Sequence, residues 1–202
     1  MTVYFRQAYL EIANFILNSF SKISESDVEK FVSAIIDAYK HNNKILVAGV
    51  GRSGLVGRAF AMRLRHLGVE SYVLGETITP SVRQGDLVVA ISGSGSTQII
   101  ITVAEAAKRA GAKVAAITSF YDSPLGRLAD IVLLVPGRTK RASSDDYFAR
   151  QILGVHEPLS PLGTLFEDTC MVVLDSIIVE IMKRLDKSER EMSAIHANVE
   201  IF

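Results

Sequence analysis

The chain has no tryptophan, one cysteine and five prolines in 202 residues. With Cys170 as its lone cysteine it can form no internal disulfide, which excludes a small cross-linked secreted scaffold. The apolar neighbours of Cys170 mark it as a small core residue. Net charge is also missing: 22 lysines and arginines balance 22 aspartates and glutamates. No global field therefore favours nucleic acid or an anionic membrane surface. No run reaches the ~18 apolar residues that a bilayer-crossing helix needs. The start, Met1-Thr2-Val3-Tyr4-Phe5-Arg6, lacks the basic-then-apolar order of a secretion signal. The expectation is a cytoplasmic protein with neither a nucleic-acid nor a membrane partner. Apolar residues make up 49% and charged ones 22%, as in globular chains, and the length fits a single domain over 1–202 with a full core.

What is present is a regular alternation. Residues 2–20 place Val3, Phe5, Ala8, Ile12, Phe15, Ile16 and Phe20 at near-helical spacing, and 27–41 repeat the pattern after the Ser24-Glu25-Ser26-Asp27 start signal. Two helices thus precede any strand, over 1–43. Strands are expected at 44–49, 71–74, 86–91, 113–118 and 131–135, with helices at 53–67, 97–110 and 124–129. Short, near-continuous apolar strands between helices read as a parallel sheet buried on both faces. The fold class is α/β: one doubly wound five-stranded sheet in the order 2-1-3-4-5, filling 44–135. From 136 to 162 the pattern stops. A basic cluster at 137–141, Asp145-Asp146, Pro158 and Pro161 mark a long loop, or a loop with one helical turn around Tyr147–Arg150. Helices resume over 163–202. The 164–185 helix is apolar around most of its middle, so one sheet face cannot cover it. It is either central to the domain or buried against another subunit.

The chemistry concentrates after two strands. Ile91-Ser92-Gly93-Ser94-Gly95-Ser96-Thr97 follows strand three and opens a helix. Glycines admit close backbone approach, while free N–H groups and the helix dipole favour an anion; four hydroxyls add uncharged donors. The competing reading is a loop whose serine or threonine only caps the helix. Gly49-Val50-Gly51-Arg52-Ser53-Gly54 follows strand one and matches G-x-G-x-x-G. A dinucleotide site would place an acid at the end of strand two, yet Glu76 lies beyond that end. In the 2-1-3-4-5 order, strands one and three flank the switch point, so both loops face one crevice. That convergence favours a sugar phosphate over a dinucleotide.

The pairing of 49–54 with 91–97 resembles the sugar isomerase (SIS) domain family. Further stretches resemble its 6-phospho-3-hexuloisomerase members: Ala61–Gly68, Gly75-Glu76-Thr77-Ile78-Thr79-Pro80, Pro161-Leu162-Gly163-Thr164-Leu165-Phe166-Glu167 and His196-Ala197-Asn198-Val199-Glu200. The likeness covers nearly the whole chain. Its departures are the long 137–160 stretch and Ser96, where a larger polar residue is common. The resemblance implies interconversion of D-arabino-hex-3-ulose 6-phosphate and D-fructose 6-phosphate through an enediol, without cofactor or metal, in a homo-oligomer (a tetramer). One positioned base could make both proton transfers. Glu167 is the candidate; its alternative is the acid of a Thr164-x-x-Glu167 capping box. His196 is implied as the group that opens the ring or shuttles a hydroxyl proton, in its own site or a neighbouring subunit's. Expected substrate contacts are Gly51, Arg52, Ser53, Ser92, Gly93, Ser94, Gly95, Ser96 and Thr97. Arg52 orients a hydroxyl, holds its loop, or pairs with an acid. His41, His66 and His156 show no ligand spacing, so no metal site is expected.

Competing functions differ in what they require. Arabinose 5-phosphate isomerases share the domain and the proton transfer but often carry further regulatory domains. Sugar-phosphate sensors bind without catalysis, often beside a helix-turn-helix domain. Neither leading helix pairs basic residues with a recognition-type turn, and a sensor would need neither Glu167 nor His196. A nicotinamide oxidoreductase fits least.

Overall fold

In the computed structural model, which describes residues 2–137 and 159–195, helix α1 (Val3–Ser19), a single 3-10 turn (Phe20–Lys22) and helix α2 (Glu25–Lys40) precede the first strand. The alternating region follows. It runs β1 (Ile45–Gly49), α3 (Arg52–His66), β2 (Ser71–Val73), β3 (Leu87–Ile91), α4 (Gln98–Arg109), β4 (Lys113–Thr118), α5 (Pro124–Leu128) and β5 (Ile131–Leu134). Helices α6 (Thr164–Arg184) and α7 (Glu189–Ile195) close the described chain. Local signals explain several starts. The Ser24 hydroxyl accepts from the Asp27 N–H at 3.3 Å to cap α2, and Glu25 and Asp27 complement its dipole. Ser123 caps α5 in the same way, with Pro124 in its first turn.

All five strands are parallel, in the expected order β2-β1-β3-β4-β5. Alternate strand residues serve opposite faces. Ile45, Val47, Leu87, Val89, Ile91, Ala115, Ile117 and Leu133 meet α2, α3 and α6 in the larger core. Leu46, Ala48, Val88, Ala90, Val114 and Ala116 meet Ile100, Ala104 and Ala107 of α4 and Leu125 of α5. Of the two alternatives posed by its composition, helix α6 takes the central place in the domain. Phe166, Cys170, Leu174, Ile177 and Ile181 are buried in the larger core, while Val172 and Val179 remain about half exposed (47% and 54%). Cys170 is a free thiol within that core. Burial, together with the nearby Glu167 charge, pushes it up to about 12. Tyr121, after β4, donates its phenol to the buried Asp27 carboxylate and ties that loop to α2.

The strands begin one residue later than expected at Lys44 and Asp86, for a specific reason. Asp86, 1% exposed, accepts from the N–H groups of Lys44 and Arg83, both at 2.9 Å, and pairs with Lys44 Nζ at 2.9 Å. These contacts pin the entries of β1 and β3 together. Burial raises the Asp86 carboxyl, but the bonds from Lys44 and Arg83 outweigh it and hold the group below its ordinary 3.8. A carboxylate depressed by folding contributes stability at pH values above the unfolded value, and that contribution fades as the pH falls through the folded one. Asp86→Asn should therefore cost about 2 kcal/mol at neutral pH. The gap to wild type in urea unfolding should narrow as the pH drops below 3.8.

Candidate active site

Register places the two motif loops side by side: Gly49 at the end of β1 pairs with Ile91 at the end of β3. Between them lies a cleft of about 340 Å3, closed on a third side by the start of α6. Gly51, Arg52, Ser53, Ser92, Gly93, Ser94, Thr97 and Glu167 line it, with Val50, Ile91, Leu162, Gly163 and Phe166 supplying apolar walls. The expected convergence of the two loops on one crevice is present. Gly95 and Ser96 stand outside the lining. Gly95 adopts φ +61°, and a Cβ there would fall 2.0 Å from Ser123 Oγ, so only glycine closes the loop onto α5. Its carbonyl accepts from the Leu125 N–H at 3.0 Å. Ser96 is exposed and donates its hydroxyl to Ser94 Oγ at 3.0 Å.

Hydroxyl positions bear on the capping alternative. Thr97 is the N-cap of α4 but makes no side-chain capping bond. Its Oγ1 lies 2.9 Å from Ser92 Oγ, so the pair braces the loop across its mouth. The Gly95 N–H is used by Ser92 O at 2.9 Å and the Ser96 N–H by Ser94 Oγ at 3.3 Å. The N–H groups of Gly93, Ser94 and Thr97 find no partner among the described residues. Three donors beside two helix N-termini form a cradle suited to a phosphate.

Glu167 is not a capping-box acid. The N-cap of α6 is Gly163 and Thr164 is the first helical residue, so Glu167 falls one position too late for the box. Its carboxylate instead accepts from Arg52 Nε at 2.5 Å, and Arg52 Nη2 reaches Asp168 Oδ1 at 3.1 Å. The Arg52 pairing alternative is thus realised, with two acids. The Glu167 side chain is 14% exposed against 38% for Asp168. Gly163 makes room for it: with φ +99°, a Cβ there would stand 3.0 Å from Glu167 Oε1. The turn into α6 is held by the Thr164 N–H bond to Pro161 O at 3.1 Å. Upstream, the Leu159 and Ser160 N–H groups donate to the Glu11 carboxylate of α1.

Several expectations fall elsewhere. His196 and the 138–158 part of the loop, with most of its basic cluster, lie outside the described residues. Helix α7, whose Ile195 is the last described residue, packs on α3. Glu76 pairs with Arg58 in a separate depression on the β2 side, away from the cleft. Sequence reasoning did not single out Asp168; its only linear signal was adjacency to Glu167. Among the described residues no group of three or more His, Cys, Asp or Glu is placed to hold a metal. Among the same residues no helix is long and apolar enough to cross a membrane.

Known proteins share this fold. The SIS domain model matches residues 38–149. An uncharacterized protein of Aeropyrum pernix is 64% identical over 95% of this chain and 90% of its own length. The 3-hexulose-6-phosphate isomerase of Bacillus subtilis is 35% identical over 94% of this chain and 96% of its own. Among solved structures, a Methanococcus jannaschii protein with an inferred molecular function of 3-hexulose-6-phosphate isomerase superposes with a TM-score of 0.74. It is 37% identical, covering 94% of this chain and 97% of that one. The family model spans both motif loops and the sheet that sets them side by side, and the relatives extend over nearly the whole chain: it belongs to the SIS domain family and is similar to its sugar-phosphate isomerases.

Proposed function

We propose that the protein is a cytoplasmic 6-phospho-3-hexuloisomerase that interconverts D-arabino-hex-3-ulose 6-phosphate and D-fructose 6-phosphate without a metal. The observation that carries this reading is the placement of one acid, Glu167, on the wall of a cleft whose other two walls are the motif loops. The phosphate sits on the 93–97 loop and the α3 and α4 N-termini, with Ser53, Ser92, Ser94 and Thr97 as hydroxyl partners. The Glu167 carboxylate removes the proton from C2 of the 3-ulose. The electron pair forms the C2=C3 enediol while the C3 carbonyl oxygen gains a proton. The proton then returns from Glu167 to C3, and the O2 hydroxyl proton is lost as the C2 carbonyl forms. The hydroxyl-proton transfers fall to His196, which gives its proton to O3 and takes the O2 proton in return. Hydrogen bonds to the enediol oxygens are chemically sufficient stabilisation for such a step. On this reading the reaction belongs to ribulose monophosphate chemistry, serving formaldehyde fixation or pentose synthesis.

Conversion of the 3-ulose 6-phosphate should survive chelator treatment. Glu167→Gln should lower kcat by about 10^3-fold, while fructose 6-phosphate binding measured by calorimetry is kept. Binding without turnover in the wild type would point to a sensor instead. Gly163→Ala strains a positive-φ position and presses on Glu167 Oε1. It should lower kcat about tenfold and cost about 1–2 kcal/mol in urea unfolding.

A homotetramer is part of the same proposal. It is supported by the apolar side of α1 and the turn after it, where Tyr4, Phe5, Tyr9, Leu17 and Phe20 are 62–80% exposed. Beside them runs a groove of about 620 Å3 lined by Ile16, Phe20, Ile23, Val28, Val172 and Ile177. Patches of this kind mark association surfaces. Sedimentation should show a tetramer, and Phe5→Glu/Phe20→Glu should shift it to smaller species; a monomeric wild type would refute the assembly.

A further inference from the structure

We propose that Asp168 is a positioning residue that acts through Arg52 on Glu167, a role that rests on the reading of Glu167 as the base. Arg52 opens α3, while Glu167 and Asp168 are the fourth and fifth residues of α6. The guanidinium gives Nε to Glu167 Oε2 and Nη2 to Asp168 Oδ1. These two nitrogens share one edge of a rigid planar group. Two anchors on one edge fix the plane in rotation as well as in place.

The alternative arrangement shows what Asp168 prevents. Given one carboxylate, the same edge closes on both of its oxygens as a fork-on-fork pair that cancels the charge. Glu167 would then be held by both oxygens, which suits a structural ion pair and not a proton acceptor. Asp168 takes half of the edge. Glu167 is left with one Arg52 bond, at Oε2, while Oε1 rests over Gly163. The cluster holds two carboxylates against one guanidinium, so one negative charge remains uncancelled at the cleft. Exposure divides the roles: Glu167 lines the cleft, whereas Asp168 does not and faces solvent more. Asp168 therefore reaches the reaction only through Arg52.

The test is steady-state kinetics of hexulose 6-phosphate conversion for wild type, Asp168→Asn, Asp168→Glu, Arg52→Lys and the Arg52→Lys/Asp168→Asn double variant. An asparagine keeps an acceptor oxygen and removes the charge. We expect Asp168→Asn to lower kcat about tenfold with KM within about twofold, and Asp168→Glu to recover most of the loss. A lysine presents a single point charge and cannot span both acids. The double variant should accordingly be no slower than Arg52→Lys alone. Wild-type kcat in Asp168→Asn, or losses that multiply in the double variant, would overturn the role. So would a fall in kcat that merely follows a fall in Tm and is not recovered by glutamate. Absence of turnover in the wild type would overturn the reading of the site itself; turnover indifferent to Asp168 overturns this role alone.

Discussion

Parallel pairing of β1 with β3 is the constraint on which the site depends. Neighbouring parallel strands release their chains in the same direction, so the loops after Gly49 and Ile91 emerge together. Each leads into a helix, and the two helices lie on opposite faces of the sheet. Their N-termini therefore approach the same point from two sides while their bodies diverge. The Asp86 knot at the other end of the same strands fixes their register where they begin. A slip of one residue would turn every core side chain to the wrong face and separate the two loops.

Onto this crevice α6 delivers the third wall. Its buried face shares a core with α2 and α3, so the position of Glu167 is set by large apolar contacts and not by the loop that precedes it. The polar network then refines what packing has placed. Arg52 spans from the first loop to the helix, and Glu11 of α1 receives the chain just before the turn at Pro161. The catalytic reading thus joins groups from positions 52, 92–97 and 167, which only the folded sheet brings together.

The architecture was largely legible because its signals are local. Ile45–Gly49 and Leu87–Ile91 are unbroken apolar runs, and glycine and hydroxyl residues follow each, so strand, loop and helix start could be read in order. The shared crevice followed from the strand order common to doubly wound sheets. What the sequence could not show are the partnerships across distance. Lys44 and Asp86 look like strand residues until their mutual bond is seen. Thr164-x-x-Glu167 has capping-box spacing, yet Gly163 takes the cap and frees the acid. Nothing near Arg52 in the chain announces that its partners stand 115 and 116 residues away.

Mounting the proposed base on a core helix has a consequence for how the protein responds to heat. Sites carried on mobile loops soften first, and their activity disappears while the rest of the fold persists. Here Phe166 and Cys170, immediately beside Glu167, are sealed in the larger core. Burial of this kind ties the opening of this turn of α6 to the opening of the core itself. Heat should therefore displace Glu167 from the cleft only as the core itself gives way.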